Sequence, residues 1–310
     1  MKKLRLIIPI AMLLMILLVL SQIFLQNGLV IRRMIQKRRA DYENYQTQLA
    51  QNNRMPDGVK EYYEDNFNVY VPERTKTDFL PVAINIHGGG LVMGNRDFNR
   101  YFNANFAKTG FVVFGIGYPL IPEADVYEQL QSVADTINKV AKVAENYGGD
   151  GSRVFLTGDS AGAYLALYTA ALAQSEEKQK AFGVTPTTVS IEKLGLLSGM
   201  FYTARNDTVG IFLRNQIYGN FSALKPVAKF RNPEYLAETV DLPPMYLQTS
   251  TGDYLSSYTA DFTKALRKYG RTVEMRNFEN NDLVHAFAVF YPEREETKQI
   301  YTALHDFFTA

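Results

Sequence analysis

The sequence predicts an α/β fold built around a mostly parallel sheet. Two observations carry that expectation. From about residue 65 onward strand-like and helix-like segments alternate, the pattern of consecutive βαβ units. Two of the strand-like segments also run directly into glycine-rich turns, His87–Gly90 and Gly158–Gly162, as strands do at the functional edge of such sheets.

In order along the chain, 66–71 reads as an early strand, and 80–86 is an apolar strand ending in the first glycine run. Residues 110–117 form a second buried strand, rich in Val and Phe. Residues 124–147 have helical spacing and stop at Gly148-Gly149. A short strand, 153–157, leads into the second glycine turn, and an Ala- and Leu-rich helix follows to about Ala173. Further core strands are expected at 194–197, 245–249 and 272–278, with a closing helix at 293–308.

Charge and composition exclude several function classes. Eight of the 33 basic residues precede position 40 and no acid does, so the rest of the chain holds 25 bases against 32 acids. A body that acidic offers no surface for a nucleic acid backbone. Without cysteine, disulfides, thiolate metal sites and a cysteine nucleophile are excluded together.

The first 31 residues read as a membrane anchor. From Leu6 to Ile31 there are 26 residues without a charged side chain, and about 20 apolar residues suffice to cross a bilayer as a helix. A cleaved signal peptide would have a shorter apolar stretch and a small-residue cleavage site, which Ser21–Phe24 does not supply. Three basic residues precede the span and five follow it closely, a count that leans toward a cytoplasmic body. A short basic N-terminus is also how an exporting signal anchor begins, so the side of the membrane stays open. Residues 32–64 are expected to be a linker or cap helix, with Met34, Ile35, Tyr42, Tyr45 and Leu49 along one face. That helix either connects anchor to body or lies over the active site. The catalytic domain is expected to span 65–310.

Gly158-Asp159-Ser160-Ala161-Gly162 has the Gly-x-Ser-x-Gly pattern of a nucleophile elbow. Small neighbours let a strained strand-to-helix turn pass close to adjacent strands, which exposes the serine hydroxyl at a helix N-terminus. Three consecutive glycines in His87-Gly88-Gly89-Gly90 let backbone N–H groups approach a carbonyl oxygen as it becomes an oxyanion. Of three histidines, His87 belongs to the glycine loop and His305 lies late in the closing helix, which leaves His285 as the base. In folds with such an elbow the chain order runs serine, acid, histidine. Asp207, Asp241, Asp253, Asp261 and Asp282 fall in that interval. Asp253 follows an apolar strand and a glycine, where a carboxylate can orient an imidazole. Asp241 precedes that strand, Asp261 falls in the next helix, and Asp282 is too near the histidine in sequence.

With these residues in place, the chain resembles the hormone-sensitive-lipase-like branch of the α/β-hydrolases, the relatives of arylacetamide deacetylase and bacterial carboxylesterases. Tyr118-Pro119-Leu120-Ile121-Pro122-Glu123 is similar to that family's Tyr-Arg-Leu-Ala-Pro-Glu segment, and Leu242-Pro243-Pro244 precedes the acid strand. The resemblance implies Ser160 as nucleophile, Asp253 as acid, His285 as base, and the N–H groups of Gly89, Gly90 and Ala161 as oxyanion donors. It also implies a helical cap with an insertion at about 199–237. Phe201, Tyr202, Ile211, Phe212, Leu213, Tyr218 and Phe221 there would line an acyl pocket or pack the cap onto the sheet. Three positions depart from the pattern. Asp253-Tyr254-Leu255-Ser256-Ser257 stands for Asp-Pro-Leu-Arg-Asp, His285-Ala286-Phe287 for His-Gly-Phe, and Pro119 for Arg. The expected activity is hydrolysis of a small-molecule carboxylic ester, of short, medium or lipid-like acyl chain, with no metal or organic cofactor. An amide, an acetylated sugar, or a non-catalytic binding role on the same scaffold are the alternatives.

Overall fold

The computed structural model describes residues 29–73, 78–219 and 225–310. The chain divides into two units, Met1–Asn44 and Tyr45–Ala310. The described part of the first is helical from residue 29, and this helix, α1, runs on to residue 52 in the second. Ile35 and Leu49 are buried and Met34, Tyr42 and Tyr45 half-buried, while Arg32, Arg33, Lys37, Arg38, Asp41 and Glu43 are exposed. The expected anchor lies outside the described residues except for 29–31. Among the described residues no helix is long and apolar enough to cross a membrane.

In the second unit, β1 (Val59–Tyr63), β2 (Phe67–Pro72), β3 (Leu80–Ile86), α2 (Arg100–Ala107), β4 (Val112–Ile116) and α3 (Val126–Val143) come first. There follow β5 (Gly149–Asp159), α4 (Ala161–Ala173), α5 (Glu176–Phe182), β6 (Ile191–Leu197), α6 (Thr208–Tyr218) and α7 (Pro233–Thr239). The chain closes with β7 (Met245–Ser250), α8 (Ser256–Lys268), β8 (Val273–Phe278), α9 (Phe287–Phe290) and α10 (Glu295–Thr309). The strands form one sheet of order β1-β2-β4-β3-β5-β6-β7-β8. β1 and β2 are antiparallel additions, and every pairing from β4 to β8 is parallel.

Local sequence explains most of these elements. β4 and β7 are buried at every position, as parallel strands covered on both faces must be. Helix α3 starts where Asp125 and Glu128 form a reciprocal capping box. It ends earlier than expected, because Gly148 in a left-handed conformation reverses the chain after a 3-10 turn, Ala144–Tyr147, and Gly149 already belongs to β5. The segment expected as linker or cap helix up to residue 64 contains β1, so the sheet begins six positions before the expected boundary. Lys60, Glu61, Tyr62 and Tyr63 carry no apolar alternation, and β1 exists because β2 offers an unpaired edge.

Parallel pairing aligns Ile86 with Gly158, Asp159 with Leu197, Leu197 with Gln248, and Ser250 with Phe278. The turns after β3, β5, β6, β7 and β8 therefore gather at one edge of the sheet. Behind them, α10 buries Ile300, Leu304 and Phe308 against the sheet, with the Phe308 ring stacked on Phe155 at 4.7 Å and 14°. After β6 the expected insertion carries α6, a 3-10 turn (Pro226–Arg231) and α7. Phe201 packs on Phe262 at 4.8 Å, and the Tyr218 hydroxyl bonds those of Tyr164 and Thr203. These two aromatics hold the insertion to the body. Ile211 is exposed, and Phe221 and the Phe212 side chain lie outside the described residues.

Phe308→Ala removes a fully buried ring from the α10 contact and is expected to cost about 3–5 kcal/mol. Urea unfolding followed by circular dichroism reads it; a loss under 1 kcal/mol would mean that α10 is not held through this stack.

Candidate active site

Ser160 sits on the turn between β5 and α4 with φ 50° and ψ −112°, a strained conformation for a non-glycine residue. It persists because both its backbone groups are fastened to the end of β6. Its N–H donates to the Leu197 carbonyl at 2.9 Å, and its carbonyl accepts from the Met200 N–H at 2.9 Å. The flanking glycines are required by close approach. A Cβ on Gly162 would run into the Ile86 carbonyl, and one on Gly158 would stand 2.8 Å from it.

The loop after β3 is fixed from three directions. Gly88 donates its N–H to Asp159 Oδ1 at 3.0 Å, and Asn99 donates to the same oxygen at 2.7 Å. Tyr118 lays its ring on His87 at 4.3 Å and donates its hydroxyl to the carbonyls of His87 and Gly88. The Leu91 carbonyl accepts from the Ile121 N–H and the Gln129 side chain. The Tyr118–Glu123 segment is thus the brace of this loop. Gly89 has φ 98°, and a Cβ there would strike the Met93 carbonyl. Among the described residues, the N–H groups of Gly89, Gly90 and Ala161 donate to no acceptor of the chain. A buried N–H such as that of Ala161 is rarely left so.

His285 stands in the loop after β8. Its Nε2 is 2.9 Å from Ser160 Oγ and its Nδ1 is 2.7 Å from Asp253 Oδ1. Nδ1 donates to the carboxylate, which leaves Nε2 to accept from the serine hydroxyl. Asp253 is buried; burial alone pushes its carboxyl up, but the His285 hydrogen bond, the charge of His285 and the Leu255 N–H outweigh it and hold it below the usual range. Ser250 ties the loop to β7 by donating its hydroxyl to the Leu283 carbonyl.

The other sequence candidates are placed elsewhere. Asp207 caps α6 and accepts from Tyr258, Asp241 pairs with Arg271, and Asp261 pairs with Arg205. Asp282 precedes the histidine on an exposed turn. His305 is exposed beside Asp306, and His87 is buried. Three participants were not legible in the sequence: Asn99, Asp159 as a brace, and Ser198. Ser198 follows β6 with φ 49°, accepts from the Ala286 N–H at 3.2 Å and also bonds Asp253. Its only sequence signal is a serine directly after an apolar strand. Among the described residues no cluster of His, Asp and Glu has the make-up of a metal site.

A family model described as alpha/beta hydrolase fold matches residues 83–289. The chain belongs to the α/β hydrolase family. The hormone-sensitive-lipase-like resemblance of its motifs is borne out. Among solved structures, this α/β hydrolase shares its fold with esterase B from Lactobacillus rhamnosis inhibited by a tributyrin phosphonate. That likeness has a TM-score of 0.83 and 24% identity, covering 90% of this chain and 94% of that one. A hyperthermophilic esterase from the archaeon Pyrobaculum calidifontis follows the same fold, with TM-score 0.70, 22% identity, and 88% and 92% covered. A probable isoprenylcysteine alpha-carbonyl methylesterase of Oryza sativa subsp. japonica is 24% identical over 235 residues, 72% of this chain and 56% of that protein. The hydrolase spans about half the length of the curated relatives it matches.

Ala286 occupies the family's glycine position with φ 54° and ψ 29°. Ala286→Gly is expected to raise stability by about 0.5–1 kcal/mol in urea unfolding, by relieving a left-handed alanine; a destabilised variant would show that the methyl group is needed for packing.

Burial pushes the His87 imidazole from about 6.5 down to about 4. Between these values the unfolded chain carries the extra proton, so stability is full above about pH 6.5 and declines toward pH 4, by about 3 kcal/mol. Unfolding free energies of wild type and His87→Gln across this window should differ in slope. Parallel curves would assign the acid sensitivity to other groups.

Proposed function

We propose that the protein is a membrane-anchored serine esterase that hydrolyses carboxylic esters through Ser160, His285 and Asp253. The observation that carries the reading is the continuous hydrogen-bond chain from Ser160 Oγ through both His285 nitrogens to Asp253. His285 takes the proton as Ser160 attacks the ester carbonyl, and Asp253 stays ionised to stabilise the imidazolium. The N–H groups of Gly89, Gly90 and Ala161 receive the oxyanion, supported by their donating to no acceptor among the described residues. His285 then returns the proton to the leaving alcohol, and water attacks the acyl-enzyme with His285 again as base. Esters of short or medium acyl chain are the first substrate class, in keeping with the esterases that share the fold. Leu6–Ile31 forms the anchor, supported by its uncharged length.

The full chain in detergent should hydrolyse nitrophenyl esters of graded acyl length and label with a fluorophosphonate. Ser160→Ala should abolish labelling and lower turnover by about 10⁴-fold or more. Equal rates in wild type and variant would remove Ser160 as nucleophile.

Expressed whole, the protein should sediment with membranes and resist carbonate extraction, and a version starting at residue 32 should not. If both remain in the supernatant, residues 6–31 do not act as an anchor.

A further inference from the structure

Proton transfer fixes the side of the site from which the alcohol leaves. On the serine-esterase reading above, collapse of the tetrahedral intermediate breaks the bond between the carbonyl carbon and the alcohol oxygen. The proton that His285 took from Ser160 passes from Nε2 to that oxygen, and neutral alcohol departs. The alcohol oxygen must then lie within hydrogen-bond reach of Nε2, and the rest of the alcohol extends past whatever stands beside the imidazole. The Nδ1 edge is closed by the buried Asp253 carboxylate.

Among the described residues, one aromatic ring stands against that imidazole from the solvent side. The Tyr254 ring centroid is 4.5 Å from that of His285, tilted by 47°, and Tyr254 is 70% exposed. Val284, directly before the histidine, is 46% exposed. The acid and base loops thus each leave a large hydrophobic side chain exposed, Tyr254 against the imidazole and Val284 one position before it in the chain. Tyr258, four residues on, is buried, with its hydroxyl donated to Asp207 at 2.6 Å. The family pattern has proline after the acid, so the ring at 254 belongs to this chain and not to the shared machinery.

The geometry points to Tyr254 as the residue that selects the alcohol half of the ester, with a preference for bulky apolar alcohols, alkyl or aryl, over methanol. An apolar or aromatic alcohol leaving past His285 covers the Tyr254 face and removes it from water. The acyl-enzyme is the same whichever alcohol has left, so deacylation is blind to Tyr254 through this contact.

The test compares kcat/KM for methyl butyrate and benzyl butyrate in the full-length wild type, Tyr254→Ala and Tyr254→Phe. Tyr254→Ala should lose about three- to tenfold on the benzyl ester with little change on the methyl ester, and Tyr254→Phe should restore the ratio. A loss equal for both esters, or no loss on either, overturns the assignment while the esterase reading stands. Failure of the wild type to hydrolyse any ester overturns the esterase reading and this assignment with it.

Discussion

The Asp159 carboxylate joins the two turns on which the site is built. It stands beside Ser160 on the elbow, yet its Oδ1 accepts from the Gly88 N–H of the glycine loop after β3 and from the Asn99 amide at the start of α2. Burial pushes this carboxyl up, while Asn99, the charge of His285 and the Gly88 N–H pull the other way. The contact is so close that a Cβ on Gly88 would overlap the carboxylate. Gly162 meets Ile86 at the same place. Ser160 and the N–H groups of the glycine loop are therefore set relative to each other by the buried Asp159 carboxylate together with the close backbone approach of Gly158 and Gly162 to Ile86.

His285 reaches this assembly from the far half of the sheet. Asp253 follows β7 and His285 follows β8, and the parallel register carries both turns to the edge where Ser160 stands. Ser198 links the halves: its N–H donates to the Gln248 carbonyl of β7, and its hydroxyl accepts from Ala286. On the other flank, aromatic contacts run from Tyr45 to Phe290, from Phe290 to Phe98 and from Phe98 to His87. Tyr45 thus packs within reach of the segments that follow both the histidine loop and the glycine loop.

How much of this was legible in the sequence depended on whether the constraint was local. The glycines at 88, 89, 158 and 162 announce themselves because backbone packing at those points admits no other residue. His285 and Asp253 emerged by elimination, since three histidines and the strand order leave few positions. Asn99, Asp159 and Ser198 were hidden because ordinary polar side chains acquire their roles only when distant strands close on them. β1 was hidden for a different reason, since an exposed edge strand such as Lys60–Tyr63 needs no apolar alternation and takes its conformation from β2. The cap aromatics illustrate a third case. Apolar composition says that Phe201 and Tyr218 are covered, but only the fold decides whether by substrate or by protein, and here Phe262 and Tyr164 cover them.

Strain is distributed in the same pattern. The non-glycine residues with positive φ among those described are Leu91, Ser160, Ser198 and Ala286, and they fall on the turns after β3, β5, β6 and β8. Each such residue costs on the order of 1–3 kcal/mol, so the four together are comparable with the net stability of a typical domain. The expenditure is sustained because each is held by atoms outside its own turn. Leu91 is held by Ile121 and Gln129, Ser160 by Leu197 and Met200, Ser198 by Gln248, and Ala286 by Ser198. A turn free to relax would lower the energy of the folded chain and move the Ser160 hydroxyl, the glycine-loop N–H groups or the imidazole away from one another. The buried sheet and the α10 aromatics are therefore part of the site in an energetic sense, since their packing keeps four unfavourable backbone conformations in place at once.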